Sequence, residues 1–72
     1  MNTIYIGASN KKLGLHQFTI YKDRPVNLIE MLKAQYPAVE CLFVSVDDFA
    51  EVEEDLHKPE SLIYAASQKM KG

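Results

Sequence analysis

A single cysteine, Cys41, stands in this chain of 72 residues, so no disulfide within the chain can brace the fold. At this length burial leaves a net stability of only about 3–5 kcal/mol, and self-association into a homo-oligomer is an expected way of adding buried surface. Cys41 lies in the apolar run Cys41-Leu42-Phe43-Val44 with no cationic group beside it. It therefore reads as a small core hydrophobe rather than a nucleophile, which needs a base and an electropositive setting.

Long apolar runs are missing as well. Nothing approaches the roughly 20 apolar residues that a membrane span requires. The start, Met1-Asn2-Thr3-Ile4-Tyr5, lacks the basic and apolar regions of a signal peptide. The expectation is a soluble cytoplasmic protein that meets no membrane, in a reducing setting. Repeats, linkers and low-complexity stretches are also wanting, so residues 1–72 read as one domain.

The motifs that carry chemistry are absent in turn. Gly7 to Gly14 follows a strand-like segment and holds Lys11 and Lys12, but it lacks G-x-x-x-x-G-K-[ST] and leads into another strand rather than a helix. An exposed loop with a turn glycine is the better account. No glycine occurs from Ala38 to Lys58, which removes the turn that a calcium loop needs among the acids after Asp47. Glu53 and His57 have metal-ligand spacing, yet two ligands do not make a site and His16 would have to come from a distant loop. A local helix contact explains that pair. No Ser or Cys stands with His16 or His57 in a nucleophile arrangement. No catalytic residue, cofactor or metal is expected, and the protein reads as non-enzymatic.

What is present is a strong division of charge. Up to residue 38, Lys11, Lys12, Lys22, Arg24 and Lys33 outweigh Asp23 and Glu30, giving +3. From 39 to 60, eight acids face Lys58 alone, giving −7; Lys69 and Lys71 bring the chain to −2. Such an asymmetry steers charged partners or favours head-to-tail association, while a solvated helix face is its plainest meaning. The acidic half and the lack of any RNA- or DNA-binding signature make nucleic acid an unexpected partner.

The hydrophobic pattern predicts an α+β fold in the order ββαβα(α), a three-stranded sheet with helices packed mainly on one face. Thr3-Ile4-Tyr5-Ile6 alternates as a strand with Ile4 and Ile6 inward, and Gln17–Tyr21 alternates with Phe18 and Ile20 on one face. Pro25 suits a first helical turn, and Asn27-x-x-Glu30 has capping-box form. Leu28, Ile29, Met31, Leu32 and Tyr36 then mark an amphipathic helix that Pro37 ends. Leu42–Val46, almost continuously apolar, is expected at the centre of the sheet. Asp48-x-x-Glu51 caps a second helix bearing Phe49, Val52 and Leu56. Beyond Pro59, residues 59–72 read as a peripheral helix carrying Leu62, Ile63, Ala66 and Met70, or as a partly flexible segment; Leu62-Ile63-Tyr64 also suits extended chain.

Two candidate contact surfaces follow. Tyr5 and Tyr21 oppose the inward residues of their strands, so both are expected on the outer face of the sheet, where amphipathic aromatics suit a protein interface; ordinary cross-strand packing is the plainer alternative. The acids Asp48, Glu51, Glu54 and Asp55 would line the second helix.

The strings Tyr5-Ile6-Gly7, Lys12-Leu13-Gly14-Leu15 and Thr19-Ile20-Tyr21, with Pro25 and Leu42-Phe43-Val44-Ser45-Val46, resemble a group of small uncharacterised proteins of tailed phages and prophages of Gram-positive bacteria. Those proteins are encoded among head and tail structural genes. The resemblance spans residues 4 to 56 and departs at Ala8 and Ser45, where that group is expected to carry proline. It brings no catalytic residues. It implies a protein acting through protein–protein contacts in particle assembly, in the host cytoplasm or in the virion. The alternative is a small regulatory module that binds a host or phage factor through its acidic helix.

Overall fold

The computed structural model describes residues 2–71 and shows the α+β fold in the order ββαβαα. The strands are β1 (Thr3–Tyr5), β2 (Ile20–Tyr21) and β3 (Phe43–Ser45). The helices are α1 (Val26–Lys33), α2 (Phe49–Glu53) and α3 (Leu62–Lys69). Both sheet pairings are antiparallel, in the order β2-β1-β3, with Ile4 opposite both Ile20 and Val44. Edge strands β2 and β3 therefore run in the same direction, and α1 carries the chain from one side of β1 to the other.

The central strand is β1, not the Leu42–Val46 segment expected there. A central strand is the one covered on both faces, and Thr3, Ile4 and Tyr5 are all buried. The apolar run of the third segment is shared out instead. Leu42 closes a 3-10 turn from Pro37, and Val46 opens another. In the second segment only Ile20 and Tyr21 pair as strand, because Phe18 turns the chain at φ 68°.

Both predicted helix caps fail for the same reason: the chain is already wound before it reaches them. The Pro25 carbonyl accepts from Ile29 N–H at 3.0 Å, which puts Asn27 inside α1, and Glu30 lies 3.9 Å from Lys33. Ahead of α2, the 3-10 turn Val46–Asp48 leaves Asp48 in helical conformation, and Ser45 takes the capping role by accepting from Asp47 N–H. Met31, placed on the apolar stripe by spacing, is 73% exposed; Ile29 and Leu32 are the buried pair.

Of the alternatives for residues 59–72, the structure shows a helix, α3, one side of which is buried. Ser61 caps α3 by accepting from Tyr64 N–H, and Ala66, Ser67 and Met70 are buried. Both α1 and α3 pack on the Pro37–Leu42 turn. The Asn10 side chain fixes the far end of α3: its Nδ2 donates to the Met70 carbonyl at 2.9 Å, while its Oδ1 accepts from Lys12 and Leu13 N–H. Gly14, at φ 69°, closes that turn in the left-handed region natural to glycine.

Gly7 serves a different need. A Cβ on Gly7 would lie 2.5 Å from Tyr5 Oη, 2.7 Å from its Cζ and 2.8 Å from Leu42 Cδ1. Gly7→Ala is expected to destabilise the protein by about 1–3 kcal/mol as the buried ring is forced aside, read as a lower denaturation midpoint with unchanged slope. Asn10→Ala, which strands the Met70 carbonyl and uncaps the turn, should cost a similar amount, about 1–3 kcal/mol, with the first loss of amide-exchange protection at the end of α3.

Candidate interaction surface

The two tyrosines do not form an outer face. Tyr5 is fully buried, at 0% exposure. Its ring centroid lies 5.0 Å from that of Phe43, and its hydroxyl donates to the Ala8 carbonyl at 2.8 Å. Tyr21 is half-buried and also leans on Phe43, with centroids 5.9 Å apart. The register explains this, since Thr3 opposes Tyr21 and Tyr5 opposes Phe43 on one side of the sheet. That side is core, so Tyr5 is withdrawn from any contact surface.

The residues expected inward from β2 lie outward instead. Phe18 is 47% and Ile20 58% exposed. Ile20 shares a sheet face with Ile4 and half-buried Val44, and Val46 is exposed at the end of β3. Phe49, the first residue of α2, brings its ring edge-on to Phe18 at 5.5 Å. An apolar strip is thereby set beside the acidic segment, which sequence spacing alone did not indicate. The signal lay in the left-handed turn at Phe18, a conformation that no residue type near it announces.

The acids are where the pattern put them in the chain. Asp48, Glu51 and Glu54 are exposed and Asp55 is half-buried, but α2 ends at Glu53, so Glu54 and Asp55 stand on the following 3-10 turn, Glu54–His57. Among the described residues Glu54 pairs with Lys58 at 4.0 Å, while Asp47, Asp48, Glu51, Glu53 and Asp55 enter no salt bridge. Asp48 also borders a shallow depression with Thr3, Asp23, Arg24, Phe43, Val44 and Ser45. Arg24 is tied down there, its Nη1 donating to the Phe43 carbonyl at 2.9 Å.

Among the described residues no three of His, Cys, Asp and Glu meet in a way that could hold a metal ion. Burial pushes the Cys41 thiol above its ordinary value, with a backbone hydrogen bond opposing and Glu40 adding to the rise. It is held as the protonated thiol, the less reactive form. No helix among the described residues is long and apolar enough to cross a membrane.

Fold and surface together define a small α+β domain whose distinctive exposed feature is an apolar strip with an acidic flank. No protein family, curated protein or solved structure matches the chain.

Burial, with a smaller contribution from Tyr21, pushes Tyr5 from 10.0 up to about 12. Between those values the folded chain keeps a proton that the unfolded chain has released. Stability is therefore full below pH 10 and falls as pH rises toward about 12. Urea unfolding below and within that window should show the loss in the native chain and a shallower slope in Tyr5→Phe; equal slopes would overturn it.

Proposed function

We propose that this is a non-enzymatic protein that works through protein–protein contacts, as a component or factor of phage-particle assembly. The observation that carries the contact reading is the strip of Phe18, Ile20, Val46 and Phe49, kept partly exposed on a domain too small to waste apolar surface. The reference to phage particles is supported by the sequence resemblance over residues 4 to 56. Acids beside the strip orient an approaching partner, and the strip supplies the contact energy.

A second reading has its own support in the acids, of which Asp48, Glu51 and Asp55 enter no salt bridge among the described residues: a regulatory module on which a basic partner is held by Asp48, Glu51, Glu54 and Asp55. The two separate by salt, because exposed charges more than about 10 Å apart are screened at 0.1 M. Mass spectrometry of gradient-purified particles from the induced source strain should find the protein at fixed stoichiometry. Phe18→Ser with Ile20→Ser should remove it from particles, and high salt should not. Recovery only from the cleared lysate, released by salt, would favour the regulatory module.

A further inference from the structure

A second apolar feature lies elsewhere on the domain. Along α3 runs a groove of about 280 Å³ between that helix and the Pro37–Leu42 turn, walled by Pro37, Ala38, Cys41, Ala65 and Ala66. It continues past Lys69 into a hollow of about 190 Å³ that reaches Met70. Each is smaller than the roughly 300–1,000 Å³ typical of cofactor pockets, and suits an inserted side chain. At its lip stands Leu62, 86% exposed, the most exposed large apolar residue among those described. Ala66 and Met70 of the same segment are buried, whereas within one copy the chain leaves Leu62 without cover.

We propose that this groove is a homodimer interface, in which two copies set their α3 helices antiparallel about a two-fold axis and each Leu62 enters the other's groove. Knob and hole belong to the same patch, as an isologous interface requires. With the axis between Ala65 and Ala66, position 62 faces position 69, and the residues just before one helix lie at the same end of the pair as those just after the other. The aliphatic stem of Lys69 then covers the incoming leucine. Glu60 thus shares an end with Lys71 of the second copy, twice by symmetry, and among the described residues neither Glu60, Lys69 nor Lys71 has an ion-pair partner within one copy. Ala65 is small enough for the helices to approach closely, and antiparallel helix dipoles add to the attraction. Burying one leucine contributes about 1.5–3 kcal/mol, and the symmetry doubles it. The inference is independent of the assembly reading, since it uses none of the residues of the strip.

Sedimentation of the full chain from micromolar to millimolar concentration tests it. The native protein should pass from monomer to dimer. Leu62→Glu should weaken the dimer at least tenfold while leaving circular dichroism and melting of the monomer unchanged, because the side chain is exposed and an acid suits a helix N-terminus. Met31→Glu, an equally exposed apolar position, should leave dimerisation alone. In a Cys41→Ala background, Ala65→Cys should form an intermolecular disulfide under mild oxidation. A chain monomeric at millimolar concentration, a dimer indifferent to Leu62→Glu, or a dimer that Ala65→Cys fails to cross-link would each overturn the proposal.

Discussion

The fold turns on the ring of Tyr5, which has to be placed inside the protein. It stands on the central strand, so cover arrives from both faces, and its in-register neighbour Phe43 is buried beside it. A phenol brought indoors needs a partner for its hydroxyl, and the Ala8 carbonyl provides one. That bond requires the chain to curl back immediately after β1, and only a residue without a side chain fits the curl at position 7. The backbone of Tyr5 is equally committed, donating to the Thr19 carbonyl at 2.9 Å and accepting from Phe18 N–H at 2.6 Å. The left-handed turn at Phe18 is thus held by the same residue. Strain of this kind persists where surrounding bonds over-determine it.

From that constraint the outer surface follows. Since the Tyr5 side of the sheet is filled by aromatic packing, the side bearing Ile4, Ile20 and Val44 must be covered by whatever remains. Phe49 and Val52 of α2 pack against the core, each only half-buried, and Phe49 meets the ring of Phe18. A helix of five residues cannot shield a three-stranded face, and Phe18, Ile20 and Val46 stay at the margin. The acidic segment lies beside the apolar strip because the residue that anchors it, Phe49, also fills the gap.

How much of this was legible in the sequence depends on the residue. Element order and number could be read, because hydrophobic periodicity reports which segments alternate and which turn every 3.6 residues. Face and centre could not. Period-two alternation in Ile4-Tyr5-Ile6 is the same whether one face or both are covered, and a tyrosine, amphipathic by nature, signals neither. The principle that a central strand is buried on both faces was sound, yet it fell on Leu42–Val46 because the apolar run Leu42-Phe43-Val44 outweighed the polar Thr3. The caps at Asn27 and Asp48 fitted their motif and lost to preceding turns already helical, which no local spacing records. Of the site, the acids were visible as composition. Phe18 and Ile20 were misplaced because the turn that reverses them has neither glycine nor asparagine at its left-handed position.

Without a disulfide, the two ends of the chain need another fastener, and Asn10 is the one the structure shows. An asparagine amide can serve two backbones at once, and here one half winds the Lys11–Leu13 turn while the other holds the Met70 carbonyl across 60 positions of sequence. Its burial is tolerable because every polar atom it carries is used, and among the described residues no buried side-chain nitrogen or oxygen lacks a partner. The clasp also fixes the direction of α3. With its last turn pinned, the helix must lie along the Pro37–Leu42 turn, and its first residue, Leu62, is left pointing out past the end of that support. The same bond that replaces a cross-link therefore leaves Leu62, the most exposed large apolar side chain among the described residues, in a fixed place, which is the condition for a specific contact rather than a sticky one.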